Sequence, residues 1–185
     1  MIKKFLLTIA SLFLFYRSGD LISGWDGINA DSFGISVTWA FLANLFILGA
    51  FAFAGFAWPS YRLLPEKYYE VKFPKTGQKI ANKLGVLFFQ KFLLATFWRD
   101  KKQQKKYFDG TRKGIKNWVI ESKKAEFGHL IPFIILTFLS IWSIFLGNFL
   151  MALLTQLMNV FANFYPILLQ RTHRARIKKI SDRIS

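Results

Sequence analysis

The sequence predicts an all-α integral membrane protein with about four transmembrane helices and one further interfacial or re-entrant amphipathic helix. Three observations lead there. The chain is 53% hydrophobic, its mean hydropathy is positive, and the apolar residues come in long blocks rather than periodic stripes. Its 26 Lys and Arg against 10 Asp and Glu give a net charge of +16, and the basic clusters alternate with the apolar blocks, as membrane topology requires. Finally, 185 residues amount to one domain's worth of chain, with little to spare for a separate soluble catalytic module.

The elements follow in order. Lys3-Lys4 precede an apolar run from Phe5 to Tyr16. A signal peptide is one reading of this segment. The continuation Arg17-Ser18-Gly19-Asp20 lacks a small-residue cleavage site, so a retained, rather short first span is preferred. Val37 to Trp58 is uncharged and long enough to cross a bilayer, with Trp39 and Trp58 placed as interfacial anchors and Pro59 ending it. Within the polar stretch that follows, Leu84 to Trp98 is apolar apart from Gln90 and Lys91. It is too short and too polar at its centre to span, and reads as the interfacial helix with Lys91 snorkelling to the headgroups. Arg99 to Lys106 is a charge run, Asp109-Gly110 a turn, and Lys113 to Gly128 a helix leading to the membrane. Leu130 to Phe145 and Phe149 to Gln170 read as paired spans reversing at Gly147-Asn148.

This gives four segments: 1–61 with two spans, a basic cytoplasmic or interfacial region 62–129, a helical hairpin 130–170, and a basic tail 171–185. Seventeen basic residues fall between Arg62 and Lys124 and six between Arg171 and Arg183, while Gly19 to Tyr61 holds none and carries Asp20, Asp26 and Asp31. The positive-inside rule then places both termini in the cytoplasm of a bacterial inner membrane protein. The same distribution makes nucleic acid a poor candidate partner and membrane lipid a good one. There is no cysteine, which excludes thiolate nucleophiles and Cys-ligated zinc.

Two polar clusters carry candidate chemistry. Glu126 and His129 are three apart, on one face of a helix. A carboxylate–imidazole bond there would fix the ring tautomer and leave a general base at headgroup depth. The plainer alternative pairs Glu126 with Lys123 and leaves His129 as an interfacial anchor. Asn163, Tyr165 and Gln170 lie on the last span, where polar side chains face the bundle interior, for function or for helix–helix hydrogen bonding. Beyond them Arg171, Arg174 and Arg176 are suited to the phosphates of a coenzyme A or nucleotide donor, or else to ordinary anchoring. No Walker loop, G-x-S-x-G elbow, H-E-x-x-H motif or H-x4-D pattern is present, and E-x-x-H occurs once where a di-iron site needs two. Nothing in the sequence argues for a metal.

These blocks resemble the glycosyl-4,4'-diaponeurosporenoate acyltransferases of staphyloxanthin-type carotenoid biosynthesis. The likeness is carried by Gly85-Val-Leu-Phe-Phe89 with Leu93-Leu-Ala-Thr-Phe97, by Glu121 to His129, and by Asn163 to Arg176. It extends over roughly residues 68–178, with both polar clusters in order. The resemblance implies a membrane transferase that moves a fatty acyl group to a sugar hydroxyl of a glycosylated C30 carotenoid. Carried over, Glu126, His129, Asn163, Gln170, Arg171, Arg174 and Arg176 match family positions. His173 stands where the family's C-terminal motif has an asparagine, and the N-terminal spans have no evident counterpart.

The reading is therefore an acyltransferase with no permanently bound cofactor, taking acyl-CoA or another acyl thioester as co-substrate and a lipid-linked acceptor. His129 is the expected general base, Glu126 its orienting partner, Asn163 and Tyr165 oxyanion donors, and Gln170, Arg171, Arg174 and Arg176 the donor-binding residues. The alternative is a non-enzymatic membrane scaffold that binds lipid or a partner complex through its basic face.

Overall fold

The computed structural model describes residues 1–28, 30, 32–72, 74–96 and 112–184. Described residues form helices α1 (Ile2–Ser23), α2 (Phe33–Ala57), α3 (Glu66–Tyr69), α4 (Pro74–Lys83), α5 (Val86–Thr96), α6 (Arg112–Phe145), α7 (Phe149–Asn159) and α8 (Tyr165–Ile184). Short 3-10 turns occupy Trp25–Gly27 and Ser60–Leu63, and a π-helical turn, Val160–Phe164, joins α7 to α8. Four helical stretches, Ile2–Ser23, Phe33–Ala57, Gly114–Phe145 and Phe149–Lys179, are long and apolar enough to cross a membrane. Val86–Thr96 is a shorter apolar helix, as its composition suggests. The Arg99–Lys106 charge run and the Asp109-Gly110 turn lie outside the described residues.

The helices run further than the hydropathy blocks. α1 continues past Tyr16 to Ser23 because its polar residues find local partners: Arg17 bonds Asp20 at 2.8 Å, and the Ser18 hydroxyl donates to the Leu14 carbonyl at 2.7 Å. α6 joins the expected 113–128 and 130–145 helices into one, carrying Pro132 within it. α8 takes the basic tail onward as helix.

By internal packing the chain falls into two compact units. One comprises Met1–Ser60 with Phe127–Phe164, the other Tyr61–Glu126 with Tyr165–Ser185.

In the first unit, Leu21, Trp25, Ala43, Ile47, Leu136 and Met151 form the core. Close approach of α1 and α2 depends on small residues: Ala40, Ala43 and Ala50 are fully buried, and a Cβ on Gly49 would stand 2.8 Å from Leu14 Cδ1. Polar side chains pin helix to helix. Ser11 Oγ donates to the Ala50 carbonyl at 2.9 Å, Ser140 Oγ to the Ala152 carbonyl at 2.8 Å, and Trp25 Nε1 to Ser143 Oγ at 3.0 Å. Large apolar side chains such as Phe5, Leu12, Phe13 and Phe138 stay exposed, as expected where the solvent is lipid. The 147–148 reversal is a Schellman turn: Gly147 has φ +80, its N–H donates to the Ile144 carbonyl, and Asn148 N–H reaches the Ser143 carbonyl.

In the second unit, α4 and α5 fold around Ala81, Val86, Phe89 and Leu169, with Tyr165 stacked on Phe89 at a ring separation of 5.2 Å. Gly85, at φ +79, turns the chain between them.

A Cβ at Gly147 forces an L-residue into the left-handed region, so Gly147→Ala should cost about 1–2 kcal/mol. Gly34→Ala, where nothing lies within 4 Å of the new methyl group, should be neutral or stabilise by up to about 1 kcal/mol. Thermal unfolding in detergent, followed by tryptophan fluorescence, checks both. Identical melting of the two variants would contradict the turn.

Candidate active site

The first unit contains a chain of side-chain amides ending at His129. Asn159 sits on the last turn of α7 and Asn163 four residues on, within the π-helical turn; both are fully buried. Asn159 Nδ2 donates to the Phe133 carbonyl at 3.0 Å and to Thr137 Oγ1 at 3.1 Å. A carbonyl only accepts, so this end of the chain has one polarity. Asn159 Oδ1 must then accept, which it does from Asn163 Nδ2 at 2.9 Å. Asn163 Oδ1 is left facing His129 Nδ1 at 3.2 Å. An amide oxygen needs a donor there, so the proton of the neutral ring belongs on Nδ1 and the lone pair on Nε2.

The backbone contributes to this arrangement. Pro166 has no amide hydrogen to offer the carbonyl four residues back, that of Ala162. The Ala162 carbonyl lies beside the His129 ring. A π-helical turn inside an otherwise α-helical segment is a recurrent mark of functional positions, and here it carries Asn163, the acceptor for His129 Nδ1. Asn159 was missed in the sequence; its spacing of four from Asn163 was the available signal.

The second unit contains a buried ion cluster. Glu126 is 0% exposed. Its Oε1 accepts from Arg171 Nε at 2.8 Å, and its Oε2 from Arg174 Nη2. Arg174, 6% exposed, also donates to Ser122 Oγ at 2.9 Å and to the Tyr69 carbonyl at 3.2 Å. Ser122 in turn donates to the Gln170 carbonyl at 3.2 Å. Arg171 gives Nη2 to the Tyr68 hydroxyl at 2.8 Å, yet 48% of its side chain remains exposed. Burial, with the Glu126 carboxylate second, pushes the phenols of Tyr68 and Tyr69 above their ordinary range, so both stay protonated. One carboxylate thus faces two guanidinium groups, which leaves the cluster a net cation with an accessible Arg171 edge.

Each sequence-derived residue has its place. Glu126, Arg171 and Arg174 come together in the second unit, and His129 and Asn163 in the first. Gln170 joins the ion cluster through its backbone. Tyr165 stacks on Phe89, Arg176 is half-buried, and His173 packs on Trp118 at a ring separation of 5.3 Å. Lys123, the alternative partner of Glu126, pairs with Glu66 instead. Among the described residues no group of three His, Asp or Glu has the geometry of a metal site.

Comparison with protein families finds a match over residues 65–183, to the model described as glycosyl-4,4'-diaponeurosporenoate acyltransferase. Neither the curated proteins nor the solved structures give a match.

Removing Glu126 leaves the buried Arg174 without its counter-ion, and such losses cost about 3–5 kcal/mol. Glu126→Gln should therefore lower the melting temperature in detergent far more than Arg171→Ala, which removes the exposed partner. Equal, small effects would contradict the buried cluster.

Proposed function

From the premise that the chain belongs to the glycosyl-4,4'-diaponeurosporenoate acyltransferase family, we propose that it transfers a fatty acyl group from an acyl thioester to a hydroxyl of a lipid-linked acceptor. A glycosylated carotenoid is the acceptor class that the family description names. The observation that carries the reading is the amide chain Phe133–Asn159–Asn163–His129, which delivers a histidine with a defined free nitrogen to a membrane-spanning helix.

In the proposed reaction, His129 Nε2 removes the proton from the acceptor hydroxyl as that oxygen attacks the thioester carbonyl. The C–O bond forms, the tetrahedral intermediate collapses with cleavage of C–S, and the imidazolium returns its proton to the departing thiolate. Both polar ends of the Asn163 amide are engaged by protein, which favours it as the residue that orients His129, in place of Glu126. The geometry of Glu126 fits another task, fixing Arg174 and Arg171. Arg171, with its exposed edge, and Arg176 would then hold the phosphates of a coenzyme A thioester, while Arg174 supports them from within. No resident cofactor is needed, and acyl-CoA enters as co-substrate. The site is proposed to face the cytoplasm of a bacterial inner membrane, with both termini on that side, following the basic clusters.

Mass spectrometry of lipid and pigment extracts from cells with and without the protein tests the reaction. The expected result is a species present only with the protein, whose counterpart in its absence is lighter by one acyl group. Identical extracts would refute acyl transfer. Loss of a general base costs about 10²–10⁴-fold in rate, so His129→Ala should abolish that species, and a full yield from it would remove the histidine from the mechanism.

A further inference from the structure

Within the first unit, α2, α7 and the π-helical turn border a groove of about 490 Å³ lined by Phe41, Asn44, Leu45, Leu48, Leu157, Met158, Phe161 and Ala162. We propose that this groove seats the hydrocarbon chain of the acyl donor, with the chain's carbonyl end at Ala162 and His129. The inference rests on the acyltransferase reading and adds to it the place and character of the donor's chain.

Three features of the groove define its occupant. First, the wall is hydrocarbon apart from one amide, and Phe41, Leu45, Leu157 and Phe161 remain exposed on helices of membrane-spanning length. A site reached through lipid with such walls takes an apolar chain. Asn44 contributes structure here: its Nδ2 donates to the Ala40 carbonyl at 2.9 Å and across to the Thr155 carbonyl at 3.3 Å, tying α2 to α7.

Second, the groove adjoins the polar chain. Ala162 lines it, the Ala162 carbonyl lies beside the His129 ring, and the next residue, Asn163, holds His129 Nδ1. A chain lying against Leu157 and Met158 therefore runs toward the proposed base. Alanine at this position leaves space that a larger side chain would fill.

Third, the size suits a flexible fatty chain. The volume lies within the range of small-ligand sites, about 300–1,000 Å³. Phe41 to Leu48 spans about 11 Å along α2, most of the roughly 15 Å depth of one leaflet of a bilayer whose apolar core is ~30 Å thick. A long conjugated rod cannot fold into that length, whereas a saturated chain can bend within it. Met158 adds an adaptable wall suited to chains of differing shape.

Photo-crosslinking with a palmitoyl-CoA analogue bearing a chain-terminal diazirine, on the full-length protein in nanodiscs, tests the proposal. Label is expected on groove residues away from Ala162, within 41–48 and 157–158, displaced by unlabelled palmitoyl-CoA. Leu45→Trp or Leu157→Trp, which fill the groove from its exposed rim, should reduce that label about tenfold, the scale on which hydrophobic pockets discriminate. Phe13→Trp, on exposed α1, should leave it unchanged. Label scattered over all lipid-facing helices, or equal labelling by a diazirine phospholipid that palmitoyl-CoA does not displace, would reduce the groove to ordinary lipid contact and overturn the proposal. Displaceable groove label alongside identical cell extracts with and without the protein would sustain the acyl seat and refute acyl transfer. An acylated product in cells with label elsewhere would do the reverse.

Discussion

A polar side chain in a membrane-spanning helix has no water to turn to, so a donor or acceptor that another part of the protein does not meet is costly. The chain of amides that begins at the Phe133 carbonyl follows from that constraint. Once Asn159 donates to a group that can only accept, the polarity of every later bond is determined, through Asn163 to Nδ1 of His129. In water such a chain could reverse at little cost, because each amide would find alternative partners. Between helices it is locked, and the imidazole inherits the orientation. Serines elsewhere in the same unit obey the same constraint with a humbler outcome, joining Ser11 to Ala50 and Ser140 to Ala152.

The second unit handles charge by the same logic. A fully buried carboxylate is tolerable because two guanidinium groups and their further hydrogen bonds surround it. The two arginines differ in consequence. Arg174 is spent on Glu126, Ser122 and the Tyr69 backbone, whereas Arg171 retains an exposed edge. Positive charge held at a fixed place with its donors partly free is the arrangement that binds phosphate, and tyrosines raised above their usual pKa keep the surroundings from adding negative charge.

Much of this was legible before any coordinates. Long uncharged blocks, tryptophans at their ends and Gly147-Asn148 between two of them define the spans, and Gly147 does adopt the left-handed conformation that such a reversal needs. The likeness traced over roughly 68–178 falls inside the matched family region, residues 65–183. Helix ends were harder to read. Hydropathy drops at Arg17 and at Arg171, but backbone hydrogen bonding continues through both, since a charge facing out of a helix does not end it. Partners were hardest. Spacing along one helix offers neighbours three or four residues away, and it suggested His129 for Glu126; the arginines that hold Glu126 lie 45 and 48 residues further on. No periodicity encodes a contact of that kind. His129 likewise finds Asn163 across 34 residues, where only the polarity of each residue, in an otherwise apolar block, marked them as belonging together.

With two histidines in the chain, nitrogen NMR of protein labelled with 15N-histidine reports the state of His129 once Ala replaces His173. The account predicts a neutral ring protonated at Nδ1, and loss of that preference when Asn159→Leu breaks the amide chain. A ring protonated at Nε2, or a tautomer indifferent to Asn159, would contradict the claim that buried amides set the tautomer of His129.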